Sequence, residues 1–159
     1  MKNVLFVCTG NTCRSIMAEG LFNNAVTKEG EDMRQFKASS AGISAFNGTC
    51  ASENALNVLK NWNIDISYHL SKRITQEEVD NAFLILTMTR EHKRALLKVF
   101  PETEGKVYTL KEFAYDISES SNSMSADITD PYGMNEAVYR KCALEIMEAI
   151  DKVVEKLKK

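Results

Sequence analysis

In the run Cys8-Thr9-Gly10-Asn11-Thr12-Cys13-Arg14-Ser15 a thiol and a guanidinium enclose five residues. Those two groups suit a phosphorylated substrate. The planar fork of an arginine matches two phosphate oxygens, and a cysteine thiolate is a nucleophile able to attack phosphorus. A helix N-terminus and a nearby cation both favour the thiolate over the thiol. A cysteine after an apolar run is more often an inert core residue. Here Gly10, Asn11 and Arg14 in the same loop argue against that reading. Arg14 could be a surface ion-pair residue, yet a cation in the first turn of a helix opposes the helix dipole unless an anion sits beside it. Ser15 either donates its hydroxyl to the thiolate or simply serves the helix start.

Attack on phosphorus also requires an acid to protonate the leaving group. Asp130 is the candidate, because Pro131 holds it in extended backbone at the end of a long polar stretch. Asp127 is a weaker substitute. The same Asp-Pro pair equally suits a plain turn before the final helix, and both roles can coexist. Tyr132 next to it either lines the rim of a site or packs in the core.

The elements that must position these residues follow from hydrophobic patterning. Residues 4–7 are continuously apolar and end at Cys8, as in a central parallel strand covered on both faces. The loop then aims backbone N–H groups and a helix N-terminus at one point, an anion site. Gly10 and Asn11 are the residue types that most readily adopt positive φ. A helix is predicted from Arg14 to about Lys28, a strand over residues 35–42, and a helix over 51–62. Thr75 and Glu78 form a capping-box pattern that opens a short helix. Residues 82–88 read as a second buried strand, followed by a helix from about Arg90 to Val99 that Pro101 ends. Residues 107–110 read as a brief fourth strand. From 114 to 133 apolar periodicity is lost, and residues 118–123 read as a mobile surface loop. A long helix starts at about Asn135.

Strands alternating with helices at this spacing predict an α/β fold, a single domain spanning residues 1–159. Its four-stranded parallel sheet takes the order 2-1-3-4, with helices on both faces. In such a sheet the site lies beyond the carboxyl end of the first strand, where Cys8 falls.

Composition narrows the class. With 44% hydrophobic and 26% charged residues the chain matches a soluble globular protein, and a net charge of −2 gives no case for nucleic-acid binding. No stretch approaches the length of a membrane span, so a cytoplasmic location is expected. The four cysteines, at 8, 13, 50 and 142, have no metal-site spacing and are expected to be free thiols. Cys50 and Cys142 read as structural, Trp62 as core and His92 as solvated on a polar helix face.

The Cys8-x5-Arg14-Ser15 pattern after an N-terminal apolar strand, joined to Asp130-Pro131-Tyr132-Gly133, resembles the low-molecular-weight protein tyrosine phosphatases over nearly the whole chain. The resemblance implies a phosphocysteine mechanism with no metal or other cofactor. Arg14 and the loop amides of Thr9, Gly10, Asn11, Thr12 and Cys13 would bind phosphate, and Asp130 would act as acid and then as base. It further implies that Ser40 and His69 join Asn11 and Ser15 in a hydrogen-bond network, although a lone histidine is more often simply a satisfied polar residue. It also implies a resolving role for Cys13 on oxidation, against a plain space-filling one. Ile16 stands where the family commonly has proline.

The family contains tyrosine phosphatases, protein arginine phosphatases and arsenate reductases. Tyrosine-directed members usually carry an aliphatic residue where this chain has Thr12, and often two aromatics where it has Tyr132 alone. The loop therefore resembles the arginine phosphatase branch, and phosphoarginine ranks ahead of phosphotyrosine. Arsenate reduction is disfavoured, since no cysteine lies between Cys50 and Cys142 to relay a disulfide. A phosphopeptide-binding module without chemistry would need neither Cys8 nor Asp130, and a nucleotide-binding regulator would need a GxGxxG or a loop lysine. The expected partner is a phosphorylated protein, with neither nucleic acid nor membrane. The sequence carries no oligomerisation signal, which makes a monomer the default.

Overall fold

A computed structural model of the chain describes residues 1–117 and 125–158. The predicted surface loop at 118–123 lies outside the described residues. Strand β1 (Lys2–Cys8) is central: it pairs in parallel with β2 (Phe36–Gly42) on one side and with β3 (Ala82–Thr87) on the other. A short β4 (Val107–Thr109) completes the parallel order 2-1-3-4.

Alternation along β1 divides the core into two layers. Val4, Phe6 and Cys8 face α1 (Arg14–Thr27), α2 (Glu53–Lys60) and the long α6 (Glu136–Leu157), which close one side of the sheet. Leu5 and Val7 face α3 (Gln76–Asn81) and α4 (Arg90–Val99) on the other. Helix α1 packs directly on the sheet, and α6 packs against α1 and α2. Helix α1 is buried over nearly its whole circumference, including the fully buried Ile16 at the predicted departure from proline.

Local chemistry sets the boundaries. Thr75 and Glu78 make the predicted capping box, and Thr89 and Asn135 cap α4 and α6 through their side chains. The predicted fourth strand is one residue too long. Thr109 and Glu112 form a second capping box that turns the chain into α5 (Leu110–Tyr115). The predicted helix over 51–62 is shorter, because Ser52 caps it by accepting from Ala55 N–H.

No described helix is long and apolar enough to cross a membrane. All four cysteines are free, but Cys50 is exposed beside an isolated bridge to Leu70, so it is not the structural residue expected. Cys142 is buried, its thiol directed at the Thr129 carbonyl and pushed up to about 12, chiefly by burial. Trp62 is half-buried against the main core.

Candidate active site

The loop between β1 and α1 is held by side chains and by the neighbouring strand. Cys8 is 3% exposed, and its Sγ lies 2.9 Å from Ser15 Oγ and 3.2 Å from the Asn11 N–H. Asn11 Nδ2 donates to the same Ser15 Oγ at 2.8 Å, which leaves the Ser15 hydroxyl hydrogen free to point at sulfur. Two donors therefore converge on the Cys8 sulfur.

Asn11 is the hub of the loop. It is fully buried at φ 60, its Oδ1 accepts from the Lys72 N–H, and its carbonyl is 2.7 Å from His69 Nε2. A short amide side chain tolerates this left-handed backbone while reaching local partners. Gly10, expected to share the positive φ, does not adopt it. The glycine that the loop does require is Gly42 at the end of β2. A Cβ there would come within 2.5 Å of the Thr9 carbonyl and 3.1 Å of the Asn11 nitrogen.

Helix α1 begins at Arg14 with Cys13 as its N-cap, no side-chain cap and no acidic residue in the first turn. Its free N–H groups and positive dipole end thus face the loop. Arg14 is 5% exposed; Nη1 donates to the Ile128 carbonyl at 2.8 Å and Nη2 lies 3.5 Å from Asp130 Oδ2. The Asp130 carboxyl is 55% exposed and accepts the Tyr132 N–H through Oδ1. The Cys8 thiol, the Arg14 guanidinium and the Asp130 carboxyl border one cavity of about 370 Å³, walled by Thr12, Phe46 and Tyr132. Tyr132 is 73% exposed, so it forms a rim and is not core.

Other residues fall differently. Ser40 does not bond Asn11 or Ser15: its hydroxyl donates to Oε1 of buried Glu19, whose other oxygen accepts from Tyr68. Burial first, and that bond second, push the Tyr68 phenol above its ordinary range. Asp127 accepts the Arg90 N–H, capping the start of α4. Cys13 is buried with its Sγ 3.2 Å from Tyr139 Oη and 3.6 Å from Ser52 Oγ. His92 is not solvated but buried, with Nε2 2.8 Å from Thr9 Oγ1.

Sequence reasoning missed Phe46, an 85% exposed aromatic on the cavity wall. Its signal was a lone aromatic in a short segment bounded by Gly42 and Gly48. It also missed Glu19, Tyr139 and Ser52, whose partners are set only by the fold. Among the described residues no cluster of His, Cys, Asp and Glu could hold a metal ion.

Residues 3–159 match the family model described as low molecular weight phosphotyrosine protein phosphatase. A protein-arginine-phosphatase of Geobacillus stearothermophilus is 38% identical over 97% of this chain and 95% of its own. A low molecular weight protein tyrosine phosphatase from T. tengcongensis superposes with a TM-score of 0.87 at 44% identity, covering 98% of this chain and 99% of that one. A mutant of the YwlE arginine phosphatase with a phosphorylated active site serine gives a TM-score of 0.89 at 33% identity, covering 99% and 96%.

Proposed function

The chain belongs to the low molecular weight phosphotyrosine protein phosphatase family, and on that premise we propose that it hydrolyses phosphoarginine in proteins, with Cys8, Arg14 and Asp130 carrying the reaction. Cys8 Sγ attacks phosphorus in line with the P–N bond, while Arg14 and the N–H groups of the loop hold the equatorial oxygens. Asp130 gives its proton to the departing guanidine nitrogen, and a phosphocysteine remains. Asp130, now a carboxylate, takes a proton from a water that attacks the same phosphorus. Inorganic phosphate leaves and the thiolate is restored.

The phosphorylated serine in the YwlE mutant supports a covalent intermediate on the residue at this place in the loop. Thr12 carries the preference for phosphoarginine: it lines the cavity with a hydroxyl able to accept from a guanidine N–H. Similarity to named protein-arginine-phosphatases supports the same reading. Because the nucleophile works as a thiolate, we place the reaction in a reducing cytoplasm.

A second reading, phosphotyrosine, is favoured by the two exposed aromatics, Phe46 and Tyr132, that flank the cavity and suit a phenyl ring. The deciding experiment compares kcat/KM on phosphoarginine and phosphotyrosine peptides for the wild type and Thr12→Ile. Higher turnover of phosphoarginine, reversed by Thr12→Ile, is the expected result. Equal or better turnover of phosphotyrosine by the wild type overturns the assignment.

A further inference from the structure

Helix α4 reaches the catalytic loop through His92 in its first turn. The ring is 8% exposed, and its Nε2 is bonded to Thr9 Oγ1 at 2.8 Å. Its other nitrogen, Nδ1, is buried with no hydrogen-bond partner among the described residues. The Thr9 bond is thus the polar attachment that retains a histidine at a buried position, where an apolar side chain would avoid the desolvation penalty. Burial first, and the Arg14 guanidinium second, push its pKa down to about 4 against the opposing pull of Asp130 and Asp127. The ring is therefore neutral at neutral pH and free to bond a hydroxyl.

Thr9 is the first residue after the nucleophile. Its backbone is held from the β2 side: its carbonyl accepts from the Ser44 N–H at 3.0 Å, and Gly42 lies so close that an added Cβ would meet the same carbonyl at 2.5 Å. Its side chain is pinned from α4. That helix is also fastened to the segment carrying the candidate acid, since the Arg90 N–H donates to Asp127 at 2.9 Å.

We propose that His92 is a positioning residue for the phosphatase reaction, one that holds Thr9 and thereby the loop amides around Cys8 in register with the Asp130 segment. The proposal rests on the assignment of Cys8 as nucleophile, but it makes no use of the identity of the phosphorylated residue. His92 touches neither substrate nor sulfur. Its effect passes through one hydrogen bond.

The test measures turnover of a chromogenic aryl phosphate, competitive inhibition by inorganic phosphate, and melting temperature. The variants are Thr9→Val, His92→Leu, the double variant and His92→Gln. One neutral hydrogen bond is worth about three- to tenfold, so each of the first two should lower kcat/KM and phosphate affinity by about that factor. The double variant should be no worse than the poorer single one. His92→Gln, whose amide can reach the same hydroxyl, should retain most of the activity. Additive losses in the double variant overturn the proposal, as does a melting change with kcat/KM untouched. Should His92→Leu fail to fold, Thr9→Val at its exposed site decides: unchanged kcat/KM and phosphate inhibition overturn the proposal, and a threefold or larger loss at wild-type melting temperature upholds it. Absence of turnover in the wild type would instead strike the assignment of Cys8.

Discussion

The Arg14 guanidinium joins the Cys8 loop to the Asp130 segment, with Nη1 on the Ile128 carbonyl at 2.8 Å and Nη2 3.5 Å from Asp130 Oδ2. One side chain therefore orients two chemically different parts of the site. Replacing it by lysine keeps the charge but loses the fork, which makes one hydrogen bond and one ion pair from a single plane. Arg14→Lys should lower kcat/KM for an aryl phosphate by about 10²–10³-fold, as for removal of a transition-state donor. A loss below tenfold in steady-state assays would remove Arg14 from the transition state.

Asp130→Asn keeps the shape and the Tyr132 N–H contact but removes the proton. Loss of a general acid lowers kcat by about 10²–10⁴-fold. The deficit should shrink for substrates with acidic leaving groups, because those depart without protonation. A series of aryl phosphates of graded leaving-group pKa reads this directly. A slope equal to that of the wild type would hand the acid role to another residue.

Asn11→Ala strips two side-chain partners from a fully buried site, Ser15 Oγ and the Lys72 N–H, leaving the latter unsatisfied and alanine at φ 60. An orphaned buried donor and a left-handed alanine together cost about 2–4 kcal/mol. Urea denaturation should show that loss, accompanied by a fall in kcat because Ser15 loses the donor that orients its hydroxyl toward Cys8.

Gly42→Ala inserts a methyl within 2.5 Å of the Thr9 carbonyl, a backbone atom with no rotamer by which to yield. Overpacking of this kind costs about 1–3 kcal/mol. The loop must shift to accept it, so inhibition by inorganic phosphate should weaken together with the fall in melting temperature. Gly10→Ala, where neither positive φ nor a close neighbour constrains the residue, should melt as the wild type does.

The pKa of His92 is about 4 in the folded chain against an ordinary 6.5. A depressed folded-state pKa means that the unfolded chain binds the proton more readily. Its contribution to stability is complete above about pH 6.5 and is lost as pH falls toward 4, by at most about 3 kcal/mol. Stability of the wild type measured from pH 7 to pH 4 should therefore fall more steeply than that of His92→Gln. Parallel curves would mean that the buried ring does not titrate as described.

The sheet order and the helices on both of its faces were legible because buried parallel strands and amphipathic helices write their periods into the chain. So was the placement of Cys8 and Arg14 around one loop, since a few adjacent residues build it. Helix α5 was hidden because the apolar run ending in Leu110 reads as a strand, although Thr109 and Glu112 repeat the capping box recognised at Thr75 and Glu78. The partners of Ser40 and His92 were not legible. Glu19 meets Ser40, and Thr9 meets His92, only after distant segments are brought together, and a polar helix position carries no mark of what covers it.

Helix α6 supplies Tyr139 beneath Cys13, and the segment just before it supplies Asp130, so the site is closed by the last part of the chain. Cys8 and Asp130 lie far apart in the sequence, and only the folded chain brings them to one cavity. A fragment that lacks α6 and the Asp130 segment would hold Cys8 without its candidate acid and without the residue beneath its loop, so the site belongs to the whole fold and not to the loop alone.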